Sequence, residues 1–183
     1  MLQRFVLFLC MLTMARATTP RTLADVPIPT PDQKKINLKQ YRGKVVVLML
    51  ISTTCGDCIE TVNLMSRIQN DLGPRGLQVV GAAFDDTAAY TIQGFIQRYR
   101  PTFPMGSLDR EGAIKIADIP KDMRPFVPII MFIDKTGTVR VQYYGNDPVF
   151  KQADKAFRAI ADSLLRFNPN AKAAPKGAPE TKQ

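Results

Sequence analysis

The sequence predicts an α/β fold organised around a buried sheet, and three observations predict it. Two apolar runs, VVVLMLI from Val45 and LQVVGAAF from Leu77, have the continuous aliphatic character of strands covered on both faces. Between them Ile59, Val62, Met65, Ile68 and Leu72 recur at helical spacing and stop at Gly73-Pro74, so strand, helix and strand form a βαβ unit. Further on, PIIMFID and TVRVQYY flank Lys135-Thr136-Gly137, a hairpin signal that adds antiparallel strands. A chain of 183 residues with 45% hydrophobic content has enough apolar material for one domain with a sizeable core.

At the start, MLQRFVLFLCMLTMARA has a basic Arg4, an apolar run from Phe5 to Met14 and the small-x-small ending Ala15-Arg16-Ala17. This is the layout of a cleavable secretory signal peptide over residues 1–17, too short to span a bilayer comfortably; if uncleaved it serves as an anchor. Cys10 is lost with that leader. The Pro-rich stretch that follows reads as an extended lead-in with a hairpin around Pro31-Asp32.

After the second buried strand, residues 87–99 form a helix with Ile92, Phe95, Ile96 and Tyr99 on one side. RPTFP breaks it, and REGAIKIAD starts another short helix. Asp147-Pro148 supplies an N-cap and a proline at the first helical position, opening a helix with Val149, Phe150, Ala153, Phe157, Ile160, Ala161 and Leu164 on its buried stripe. Asn168-Pro169 ends it. The expected division is a leader at 1–17, one domain at 18–166 and a tail at 167–183 too poor in apolar residues to pack.

The net charge of +9 comes from scattered Lys and Arg without a basic-aromatic pattern, which argues against nucleic-acid binding. Chemistry concentrates instead in STTCGDCIET. Once the leader is gone, Cys55 and Cys58 are the two remaining cysteines, closing a loop too small to act as a structural staple. A zinc site needs four ligands, and the chain has no His and no second C-x-x-C, although a dithiol still binds soft Cu(I). Two small buried hydrophobes would also fit a lone C-x-x-C.

The turn between strand and helix favours redox work. A helix N-terminus stabilises a thiolate, and a second thiol one turn on resolves the mixed disulfide. Cys55 precedes the helix and is expected to be exposed and to attack, while Cys58 shares the stripe of Val62 and Met65 and is expected to be covered and to resolve. Asp57, inside the motif, opposes a thiolate at Cys55.

VVVLMLI, STTCGDC, FVPIIMFID and DKTGTV together resemble thioredoxin-like thiol:disulfide oxidoreductases of the TlpA/ResA type within the AhpC/TSA redoxins, over roughly residues 25 to 166. The resemblance implies a thioredoxin-like three-layer α/β/α fold with a central mixed sheet, an N-terminal extension and a helical insert. It implies a cis Pro128 facing the cysteines, with the Val127 backbone pairing to an extended substrate. Catalysis then falls to Cys55 and Cys58, and substrate contacts to Thr54, Gly56, Asp57, Val127 and Pro128, with no cofactor and no metal.

Three positions depart from the family pattern. Thr54 stands where Trp is usual, Met49 where thioredoxins have a buried acid, and Thr61 where many TlpA/ResA relatives have Glu. Glu60 lies roughly 200° around the helix from Cys58, so no proton acceptor is assigned to that thiol.

The reading is an extracytoplasmic, periplasmic disulfide reductase. Its substrates are cysteine-containing exported proteins, its electrons come from a membrane thiol donor, and it acts as a monomer. The alternatives are a peroxiredoxin-like peroxidase, whose P-x-x-x-T-x-x-C signature is broken at Leu48 and Ser52, and a Cu(I)-handling module.

Overall fold

A computed structural model describes residues 20–120 and 122–168. The predicted signal peptide with Cys10, and the tail from residue 169 onward, lie outside the described residues.

Strand alternation organises the whole domain. In β4 (Val45–Ile51) every residue is buried, because odd and even side chains enter two different cores. Two strands and the lead-in hairpin precede it: β1 (Arg21–Thr22), then β2 (Ile28–Pro29) paired antiparallel with β3 (Lys35–Ile36) around the turn expected at Pro31-Asp32. The chain continues through α1 (Gly56–Leu72), β5 (Leu77–Ala83), α2 (Ala88–Tyr99), β6 (Met105–Ser107) and α3 (Arg110–Ala117). The hairpin of β7 (Ile129–Ile133) and β8 (Thr138–Tyr143) and the closing α4 (Ala153–Arg166) complete it.

The main sheet runs β1-β8-β7-β4-β5-β6 and is mixed: β4, β5 and β6 are parallel, whereas β7 and β8 are antiparallel additions. One face carries α1, α2 and α4, whose Val62, Met65, Ile92, Phe95 and Phe157 pack on Val45, Val47, Met49 and Ile51. The other is covered by α3 and the lead-in, with Ile28, Ile36, Ala113 and Ile116 against Val46, Leu48 and Leu50. The expected three-layer α/β/α arrangement with an N-terminal extension and a helical insert is present.

One element differs from the sequence expectation. The Asp147 side chain does accept from the Val149 N–H at 2.9 Å, but the segment it caps, Pro148–Gln152, is a 3-10 helix, and the α-helix begins at Ala153. Phe150 lies edge-on to Phe157 at 5.5 Å between ring centres, packing that the tighter 3-10 geometry delivers.

The parallel βαβ crossover brings the cysteine turn to the C-terminal end of β4, the end at which open α/β sheets place their chemistry. Register assigns the opposite end: Val46 pairs with Ile133, so Asp134 and the β7–β8 turn lie at the N-terminal end of β4, away from Cys55.

Candidate active site

Cys55 occupies the N-cap of α1 with extended backbone, and its Sγ accepts the Cys58 N–H at 3.3 Å. A sulfur therefore fills the position in which Ser or Asp ordinarily satisfies a helix's free N–H groups. Cys58, one turn on, is fully buried among Met49, Val62 and Met65. Both are free thiols. The expected asymmetry is present, with Cys55 half-buried rather than open.

Burial pushes the Cys58 thiol well up. The hydrogen bond with the Cys55 side chain adds to the shift, the Ser52 backbone works against it, and the charge of Asp57 is a small further upward influence. Asp57, singled out from the sequence for the attacking thiol, bears on the resolving one. Met49 is completely buried beside Cys58, and the Thr61 hydroxyl is turned away into a 2.7 Å bond with the Asp57 carbonyl. Glu60 is exposed.

Of the residues assigned to substrate contact, Thr54, Gly56 and Asp57 are exposed on the cysteine turn, and Val127 is half-buried across from it. Cys55 and Val127 line one recess of about 290 Å³ with Ser52, Phe84, Asp85 and Arg124. The Val127-Pro128 peptide is cis, as the resemblance implies, and Pro128 itself is buried.

Asp85 was not singled out from the sequence. Its carboxylate accepts the Thr53 N–H at 2.8 Å, the Thr53 hydroxyl at 3.3 Å and the Thr87 hydroxyl at 2.8 Å, and Thr53 also meets the Thr91 hydroxyl at 2.9 Å. Burial opposes the charge, but these donors, led by the Thr53 N–H, outweigh it and hold the carboxyl below its ordinary value. The residue two places before Cys55 is thereby clasped to the turn that opens α2. Asp85→Ala is expected to cost about 1–2 kcal/mol by orphaning the Thr53 N–H. Amide exchange at Thr53, measured by NMR, is expected to quicken about tenfold, since a loss of that size allows the turn to open more often.

Gly145 is the second residue missed. Its N–H donates to the Phe126 carbonyl at 3.0 Å, and a Cβ at this position would collide with the Val127 carbonyl. Only glycine lets the end of β8 close against the loop that faces Cys55.

Residues 21–142 match the AhpC/TSA family. The chain belongs to that family. Among curated proteins, this AhpC/TSA chain is 29% identical over 129 residues to the thiol-disulfide oxidoreductases ResA of Bacillus thuringiensis subsp. konkukian and Bacillus cereus, covering 69% of this chain and 69% of each relative. A thiol:disulfide interchange protein of the thioredoxin family from Chlorobium tepidum is similar in fold, with a TM-score of 0.66 and 20% identity over 81% of this chain and 98% of that one. The thioredoxin domain of a thiol-disulfide oxidoreductase from Bacteroides vulgatus gives 0.60 and 14%, over 76% and 97%.

For an AhpC/TSA protein, the departures at Met49, Thr54 and Thr61 acquire a physical reading. Met49 and Thr61 carry no carboxylate to take the Cys58 proton, and Thr54 sets no aromatic ring directly before Cys55. Nor do any three His, Cys, Asp or Glu side chains converge as metal ligands among those residues.

Proposed function

We propose that this protein is a thiol:disulfide oxidoreductase that reduces disulfides of exported, cysteine-containing proteins outside the cytoplasm. The observation that carries it is the pairing of a half-buried N-cap sulfur with a fully buried thiol whose own N–H rests on that sulfur. In the reaction, the Cys55 thiolate attacks one sulfur of the substrate disulfide, and the other leaves as a thiolate that takes up a proton. Cys58 loses its proton to solvent and attacks Cys55 Sγ. The second substrate thiol is expelled and the Cys55–Cys58 disulfide forms, so two electrons pass to the substrate.

The place of Val127 beside Cys55 in one recess favours docking of an extended segment along the Val127 backbone by strand addition. The likeness to thiol-disulfide oxidoreductases supports disulfide exchange, and the leader-like residues 1–17 support export. A membrane thiol donor then resupplies electrons, because an oxidising envelope would otherwise leave the pair as a disulfide.

Equilibrating the full chain in graded dithiol/disulfide buffers, with alkylation and mass shift as readout, tests this. A potential near about −270 mV is expected for a reductase, whereas one near about −120 mV would make the protein an oxidant. Failure to form any reversible Cys55–Cys58 disulfide would sink the dithiol mechanism.

A further inference from the structure

The peptide unit joining Ser52 to Thr53 is held at both of its polar ends. At one, its N–H donates to the Asp85 carboxylate at 2.8 Å; at the other, its carbonyl accepts the Cys55 N–H at 3.3 Å. A peptide unit is planar and stiff, so fixing the N–H also aims the carbonyl. With the carbonyl goes the Cys55 main chain, whose Sγ accepts the Cys58 N–H at 3.3 Å. Asp85 is itself anchored on every side. The Phe84 N–H meets the Ile51 carbonyl at 3.1 Å, carrying the sheet up to the residue before it, and the Asp85 carbonyl accepts the Ala88 N–H at 2.8 Å where α2 opens. Its side chain also accepts the Thr87 hydroxyl at 2.8 Å. The path from this anchored carboxylate to the Cys55 main chain crosses a single peptide unit.

We propose that Asp85 is a positioning residue for Cys55, holding the peptide between Ser52 and Thr53 so that the attacking sulfur stays on the Cys58 N–H. The inference rests on the reading of Cys55 as the attacking thiol. Position and charge act in opposite directions here. Asp85 lines the recess that holds Cys55, together with Asp86, Arg110 and Arg124, and Asp57 follows in the first turn of α1. Removing one negative charge from that set favours a thiolate in the recess, whereas releasing the peptide takes an N–H donor from the sulfur and disfavours it. Hydrogen-bonding capacity separates the two. The Thr91 hydroxyl gives its proton to the Thr87 carbonyl at 3.0 Å, and the Thr53 hydroxyl has one proton for two partners, Thr91 at 2.9 Å and Asp85 at 3.3 Å. Asp85→Asn therefore keeps every contact. The amide oxygen takes the Thr53 N–H, the two amide protons go to the hydroxyl oxygens of Thr53 and Thr87, and Thr53 donates to Thr91. Asp85→Ala loses them all.

The test uses the full chain, reduced beforehand, with iodoacetamide and hydroxyethyl disulfide as probes. Alkylation of Cys55 is followed by mass across pH, and reduction of the disulfide is followed at pH 7. In Asp85→Ala the alkylation profile is expected to move to higher pH and both rates at pH 7 to fall about fivefold, the sign of a lost N–H rather than of a lost charge. In Asp85→Asn the profile is expected to return to its wild-type position or below it, and both rates to recover. Asp134→Ala, which loosens the opposite end of the sheet, is expected to leave the profile in place. An unmoved or lowered profile in Asp85→Ala would overturn the assignment, as would a rise that Asp85→Asn fails to reverse or that Asp134→Ala reproduces. Should Asp85→Ala fail to fold, Thr87→Val keeps the carboxylate but removes one hydroxyl that aims it; the profile should again rise, and no rise would overturn the assignment. If the wild-type chain is alkylated at Cys55 yet leaves hydroxyethyl disulfide intact, the reductase reading falls, and the alkylation profiles still uphold or overturn the placing of Cys55 by Asp85.

Discussion

Replacing Cys58 with serine is expected to turn the protein into a covalent trap. Cys55 still occupies the N-cap and still attacks, because the backbone N–H of residue 58 that supports its sulfur is unaffected by the side chain. The second half of exchange is lost, since the one thiol one turn away is gone. Turnover with a protein disulfide should drop by about 100-fold or more, and a mixed disulfide of chain plus substrate should accumulate, visible by mass under non-reducing conditions. Trapping by Cys55→Ser instead would reverse the two roles. The same geometry sets a pH dependence in the wild type. Burial holds the Cys58 thiol well above its ordinary value, so its thiolate is scarce near neutrality. The resolving step is therefore expected to speed up about tenfold per pH unit between roughly pH 7 and 9, as the reactive form becomes commoner. Single-turnover quenching of the mixed disulfide measures it; a flat profile would mean that a base within the protein takes the proton.

Asp134→Ala is expected to destabilise the fold strongly although the residue lies far from the cysteine pair. The Asp134 side chain is fully buried and gathers the β7–β8 turn around itself. It accepts the N–H groups of Thr136 at 2.9 Å and Thr138 at 3.0 Å, the Thr136 hydroxyl at 2.6 Å, and two nitrogens of Arg140 at 2.7 Å each. Truncation orphans two backbone donors and a guanidinium that is one-third exposed, so the loss should be about 3 kcal/mol. For a chain of this size that lowers the melting midpoint by about 10 °C. Burial opposes the carboxylate, but the Thr136 hydroxyl, the Thr138 N–H and Arg140 outweigh it and hold its pKa below the ordinary 3.8. A depressed folded-state pKa means the contribution is present in full above the ordinary value and is lost as pH falls through the lower folded-state value. Urea unfolding at pH 7 and pH 3 should therefore show a smaller gap between wild type and Asp134→Ala at the acidic pH. An equal gap would assign the loss to packing rather than to charge.

Local pattern made the skeleton of this fold legible. β4 and the end of α1 were recoverable within a residue because their periodicity is long and the turn residues at Gly73-Pro74 are unambiguous. β6 was not, for it has three residues and no alternation, and it exists because β5 offers a parallel edge. Gly106 lies there because a side chain would collide with the Pro29 carbonyl of the lead-in, a contact between segments far apart in sequence. The same distinction divides the site. The cysteine pair announces itself by spacing, whereas Asp85 meets Thr53 across 32 positions, and Gly145 matters through the backbone of Val127. These residues carry no motif of their own; only the closed sheet makes them neighbours.

The register of the sheet also determines how the reactive turn is presented. Arg21 enters opposite Val139, with its guanidinium bonded to the Ile116 carbonyl and the Gln142 side chain. At the other terminus, Lys135 clamps the Leu165 carbonyl at the end of α4. Both points of attachment lie at the Asp134 end of the sheet, remote from Cys55. A surface attachment made at the end of α4 would hold the described domain by its base and turn the cysteines outward, so a chain immobilised there should remain open to large protein substrates approaching from the free side.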